Sequence, residues 1–239
     1  KNIELPPDSP FDVVLVDLFR RSLISFLKRN IKGLMFSSND GLSKISALQE
    51  PLVRGFSQWT QPLDSLYVIT AHAYYQEAIS NFITFCLQGE SEQYLQGNIN
   101  LQKCYEYFRD LSDVTLSGIV LETQTAFDRF QERSTWFTIR NYAGDLFAKP
   151  VWNYYLRNLA LDKSIVEFWA SQLISIKKGI LTSNDSFVVQ MPTSAGKTLI
   201  AELTILSALT SQDNARSLYI APYRALVNEV ENNLTETLG

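Results

Sequence analysis

The chain has 239 residues, 46% of them apolar and 12% aromatic, which supports one large or two ordinary packed domains and excludes a largely disordered chain. Its formal net charge is −4, so no global basic field advertises nucleic acid, and any such contact must come from local groups. Cys86 and Cys104 form no C-x-x-C pair, which fits a reducing compartment without structural zinc, and no apolar run approaches the ~18 residues of a membrane span. With no signal-peptide layout at the start, a soluble cytoplasmic protein is expected. The first residue is Lys1 rather than methionine, so the chain reads as a fragment of a longer protein.

Ser9-Pro10 predicts a helix start, a cap followed by proline in the first turn, and a helix to about Asn30. Arg20, Arg21, Lys28, Arg29 and Lys32 give its second half a basic side, read as a solvated face complementing the helix dipole, with a phosphate-contacting patch as the alternative. From Lys32 to Leu63, Gly33, Ser37-Ser38-Asn39-Asp40-Gly41, Pro51, Gly55 and Pro62 predict short helices joined by turns. Leu66, Ile69, Tyr74, Ile79, Phe82 and Ile83 predict a helix over 64–87 that ends at Gln88-Gly89-Glu90-Ser91. His72 lies in it, without acidic or cysteine neighbours at ligand spacing, and reads as an ordinary packed or surface side chain. Residues 92–133 continue the amphipathic helical pattern. There Tyr105-Glu106-Tyr107-Phe108 reads as core packing rather than base stacking, because no lysines interleave the aromatics.

A domain boundary is expected between Pro150 and Asp162, dividing a helical accessory domain (1–155) from a nucleotide domain (156–239). Ser164-Ile165-Val166-Glu167 reads as a capping box opening a helix that ends near Gly179. Phe187, Val188 and Val189 then predict a strand, and Leu199, Ile200, Leu203, Leu206 and Leu209 a helix. Between them lies Met191-Pro192-Thr193-Ser194-Ala195-Gly196-Lys197-Thr198. A strand, a tight loop and a helix N-terminus are what a phosphate-binding loop requires, since unpaired N–H groups and the dipole end favour a polyphosphate. In that pattern Gly196 admits the ligand closely, Lys197 reaches the β- and γ-phosphates, and Thr198 offers its hydroxyl to Mg²⁺. Pro192, Thr193, Ser194 and Ala195 complete the loop, chiefly through main-chain N–H groups. Residues 216–222 predict a second strand, parallel to the first because a helix crosses between them.

The strict pattern has glycine where Met191 stands. Pro192-Thr193-Ser194-Ala195-Gly196-Lys197-Thr198 instead resembles motif I of the superfamily 2 DExH/DEAD-type helicases. Ala221-Pro222-Tyr223-Arg224-Ala225-Leu226-Val227 is similar to their motif Ia, and Phe168-Trp169-Ala170-Ser171-Gln172 resembles the Q-motif region. The resemblance covers residues 164–239. It implies an α/β RecA-like fold with parallel strands following the mainly α N-terminal domain, ATP and Mg²⁺ as cofactors, and Lys197 and Thr198 in the catalytic loop. Gln172 would read adenine, with Phe168 or Trp169 stacking on the ring. Pro222 would set the motif Ia turn and Arg224 would touch a DNA or RNA backbone phosphate, which binds without reading sequence.

No D-E-x-H string occurs, and no arginine for developing charge can be assigned, so these residues alone are expected not to hydrolyse ATP efficiently. A long helical region before motif I resembles the layout of helicase subunits in prokaryotic antiviral defence systems, where a nuclease partner docks. Two other readings stand beside the helicase: a P-loop ATPase without a nucleic-acid track, and a partner-docking module with an inactive nucleotide fold.

Overall fold

The structure, a computed structural model, describes residues 10–55, 62–192, 195–212, 214–221, 223–224, 227–228, 230–232 and 235. It divides into two compact units, 1–129 and 130–239. The first contains α1 (Pro10–Leu27), α2 (Ile31–Gly55), α3 (Pro62–Gln88), α4 (Ser91–Asp110) and most of α5 (Val114–Gln131). α3 is the central element, packing along α4 and against α2 and α1. Its side chains explain this: Tyr75, Ala78, Ile79, Phe82 and Phe85 are fully buried. Phe127 of α5 stacks on Tyr94 at 5.2 Å and lies 4.9 Å from Phe82 and 5.8 Å from Phe26, so one aromatic cluster joins four helices. The Tyr94 hydroxyl donates to the Phe127 carbonyl at 2.6 Å, which satisfies the one polar atom the ring brings in. Of the aromatic run in α4, Phe108 is core while Tyr107 is half-buried and stacked on Tyr74.

α2 departs from the expectation of short, broken helices: it runs unbroken through Ser37–Gly41, with Pro51 in its final turns. The polar residues serve packing rather than turns. Ser37 donates to the Leu34 carbonyl at 3.2 Å, and Ser38 to the Gln76 carbonyl at 3.3 Å. At Gly41, a Cβ would stand 2.8 Å from Gln76 Cδ, so this glycine makes room for a buried amide. Gln76 accepts from the Ser22 hydroxyl at 3.0 Å. His72 is buried beside it, against the edges of Phe19 and Phe108 at 5.7 and 5.3 Å, with Nδ1 unpartnered among the described residues. Burial without a counter-charge lowers its pKa to about 4.

The second unit holds α6 (Thr135–Tyr142), a 3-10 turn (144–148), α7 (Pro150–Asp162), α8 (Ala170–Lys177) and α9 (Lys197–Ser211). In this grouping by packing, α6 and α7 share a unit with α8 and α9. The helix expected from a Ser164 capping box begins instead at Ala170. Residues 166–168 are committed elsewhere: Thr135 N–H donates to the Val166 carbonyl and Phe168 N–H to the Arg133 carbonyl, with Ser134 and Glu167 forming an isolated antiparallel bridge. Among the described residues neither 187–189 nor 216–221 forms a paired strand, so the expected parallel strands are not shown there. Val188 is 100% exposed, Leu218 85% and Ile220 82%. Extended backbone becomes sheet only when a neighbour accepts its hydrogen bonds, and these segments have no such neighbour among the described residues.

Candidate nucleotide site

The loop is built from the helix outward. Gly196 is the N-cap of α9 and has φ 73°, the left-handed region that other residues enter only at a cost. A Cβ at Gly196 would also lie 2.2 Å from Gln172 Nε2. Glycine is thus required there twice, by backbone conformation and by a neighbouring side chain. α9 then buries Leu199, Ile200, Leu203 and Leu206, which anchors the helix and leaves its N-terminus free. Lys197 and Thr198 are both exposed in its first turn and make no side-chain hydrogen bond among the described residues. Met191, standing where the strict pattern has glycine, is 8% exposed and anchors the loop's approach, while Ala195 donates its N–H to the Pro192 carbonyl at 3.1 Å. Thr193, Ser194 and Pro222 lie outside the described residues.

Gln172, in the first turn of α8, is 4% exposed. Its Oε1 accepts from the Trp169 N–H at 2.9 Å, and its Nε2 donates to the Gly196 carbonyl at 3.3 Å. One amide therefore caps α8 and holds the hinge of the loop. Of the two aromatics before it, Phe168 is buried at 1% exposure and Trp169 is 58% exposed, so only Trp169 offers a free face. Arg224 is exposed.

One group to which sequence reasoning gave no role is Glu202, in the second turn of α9 and 3% exposed. The Tyr155 hydroxyl donates to its Oε2 at 3.0 Å, and Lys163 Nζ lies 3.4 Å from both oxygens. Burial, and then the adjacent carboxylate, push the Tyr155 hydroxyl pKa upward, keeping it a donor. Farther along α9, Trp152 Nε1 donates to Thr210 Oγ1 at 3.3 Å and Lys149 to the Thr210 carbonyl. The sequence signal was a carboxylate amid the apolar spacing of Leu199, Ile200, Leu203 and Leu206. A charge at a core-facing position asks for a partner.

A glycine-hinged helix N-terminus with an exposed lysine and threonine defines a class, and comparison with known families agrees with it. Residues 170–239 match the family model for the DEAD/DEAH box helicase, and this stretch is of the DExH/DEAD superfamily 2 type. Among individual proteins, the chain is 36% identical over 176 residues to Hachiman protein HamB of Bacillus cereus, covering 67% of this chain and 14% of that protein. It is 33% identical over 72 residues to the ATP-dependent DNA helicase Hel308 of Methanocaldococcus jannaschii, covering 28% of this chain and 6% of that one. The Hel308 of Pyrococcus abyssi is 31% identical over 74 residues, covering 31% of this chain and 10% of its own length. The chain thus spans a small part of each relative. No solved structure matches it significantly. The HamB overlap is longer than residues 156–239, so that similarity reaches into the helical region before the loop. No helix among the described residues is long and apolar enough to cross a membrane.

Proposed function

We propose that the full-length protein is an ATP-dependent helicase or translocase of superfamily 2 in which residues 192–198 hold the phosphates. The observation that carries this is the left-handed Gly196 placing exposed Lys197 and Thr198 in the first turn of α9. The residues fit the group. No Cβ intrudes at Gly196, an ammonium is available for phosphate charge, and a hydroxyl is available for Mg²⁺. When bound, ATP supplies the free energy for movement along nucleic acid. Lys197 stabilises the negative charge of the phosphates, and the N–H groups of 193–198 orient them.

Trp169 is assigned the adenine stack, since its face is free and that of Phe168 is not. Gln172 is assigned the adenine edge. Its oxygen and nitrogen each make one bond, leaving one lone pair and one hydrogen for a base. Arg224, with Pro222 setting the turn, is assigned to a DNA or RNA backbone. The segments at 187–189 and 216–221 are assigned to parallel strands of a RecA-like sheet, their exposed apolar side chains being the faces such a sheet covers. The helical region docks a protein partner in a cytoplasmic prokaryotic antiviral defence system, with no membrane contact. The similarity to Hachiman protein HamB extending past the nucleotide region supports that assignment.

ATP turnover by the full-length protein tests this reading. It should rise when DNA or RNA is added, lose that stimulation as salt rises, and vanish in Lys197→Ala. Turnover indifferent to nucleic acid would leave an ATPase without a track, and turnover unchanged in Lys197→Ala would end the nucleotide assignment.

A further inference from the structure

Glu202 is not needed to bury α9, because Leu199, Ile200, Leu203 and Leu206 already do so. A carboxylate taken out of water costs free energy unless it is paired and hydrogen-bonded, and Glu202 is both. Its partners come from 47 and 39 residues away in sequence, on α7 and just after it. The ties have an order. Lys149 and Trp152, at the start of α7, reach Thr210 near the end of α9, whereas Tyr155 and Lys163 reach Glu202 near the beginning. α7 therefore runs antiparallel to α9 and grips it at two levels. Apolar packing is non-directional and tolerates small rotations of a helix, whereas hydrogen bonds with fixed angles do not.

We propose that Glu202, held by Tyr155 and Lys163, is a positioning residue for the nucleotide loop: it fixes the rotation of α9 and so the direction of Lys197, Thr198 and the N-terminal N–H groups. This rests on the nucleotide assignment above.

The test measures Mg-ATP affinity and thermal unfolding together in the full-length protein. Wild type is compared with Lys197→Ala, Lys163→Met, Lys163→Arg and the triple variant Tyr155→Phe/Lys163→Met/Glu202→Met. Replacing a buried ionic group by apolar side chains of similar volume preserves stability in other proteins. The triple variant is expected to unfold within a few degrees of wild type yet bind ATP roughly tenfold more weakly, about what one weakened hydrogen bond to a charged phosphate is worth. Lys163→Met should weaken binding severalfold and Lys163→Arg restore it. Should the triple variant not fold, the part-exposed Lys163 decides through its Met and Arg variants. ATP binding that is lost in Lys197→Ala but unchanged in Lys163→Met and in the triple variant overturns this inference and leaves the nucleotide assignment standing. No binding by wild type, or equal binding by Lys197→Ala, overturns both.

Discussion

Two cores of the chain, the aromatic packing around α3 in the first unit and the packing around α9 in the second, use buried polar groups differently. In the first, α3 presents a mostly apolar and aromatic surface to its neighbours; among the polar side chains it buries, Gln76 accepts from Ser22, while its Nε2 and His72 Nδ1 have no partner among the described residues. In the second, the buried polar groups around α8 and α9 meet in defined pairs, Glu202 with Tyr155 and Lys163, Gln172 with Gly196 and Trp169, Thr210 with Trp152 and Lys149, while the buried hydroxyls of Ser134, Thr135 and Thr138 at the start of α6 have no partner among the described residues. Apolar packing confers stability. Cores crossed by directional bonds also fix orientation, which is what a loop that must present N–H groups to a phosphate requires.

The largest effect that can break this contrast is in the first unit. Phe127→Ala removes a ring at 0% exposure that touches Phe26, Phe82 and Tyr94, and denaturant unfolding should show a loss of about 3–5 kcal/mol. A change under 1 kcal/mol would mean that the cluster is not the core. Acid comes next. Folded His72 takes a proton only near pH 4 and the unfolded chain takes one near 6.5, so falling pH favours the unfolded chain. The stability is fully present above pH 6.5 and is lost as pH falls towards about 4, on the order of 3 kcal/mol in all. Urea midpoints measured across that window should slope in wild type and flatten in His72→Leu.

Gly41→Ala separates two views of α2. If Gly41 were only a weak helix residue, alanine would stabilise by about 1 kcal/mol. Because its Cβ would stand 2.8 Å from Gln76, the expected result is a loss of about 1–3 kcal/mol by overpacking. In the second unit, Gly196→Ala forces a side chain to φ 73° and displaces Gln172, costing about 1–2 kcal/mol of stability and a larger share of ATP affinity. Smallest is Arg224→Ala: an exposed arginine should change unfolding by less than about 0.5 kcal/mol.

Local patterns were legible in the sequence where local forces decide the structure. Pro10 opening α1, Gly89 closing α3 and the glycine-lysine-threonine entry to α9 all follow from residue chemistry within one or two turns. What eluded the sequence depends on distant partners. The turn signals around Ser37–Gly41 are overridden because Gln76, on another helix, receives the hydroxyl and needs the space. Ser164 fails as a cap because residues 166–168 pair with 133–135. The predicted strands at 187–189 and 216–222 carry β-favouring residues, yet no pairing is seen among the described residues 187–189 and 216–221, since propensity supplies no hydrogen-bond partner. Within the candidate site, Lys197 and Thr198 could be named from spacing alone, whereas Glu202 became visible only once Tyr155 and Lys163 were seen beside it.

The most direct measurement is calorimetric titration of Mg-ATP into the full-length protein and into Lys197→Ala. Saturable binding at one site per chain in the wild type, lost in the variant while its thermal unfolding stays within about 2 °C, is the predicted result. Equal binding by both proteins would contradict it, because the ammonium at the head of α9 would then have no part in holding the phosphates.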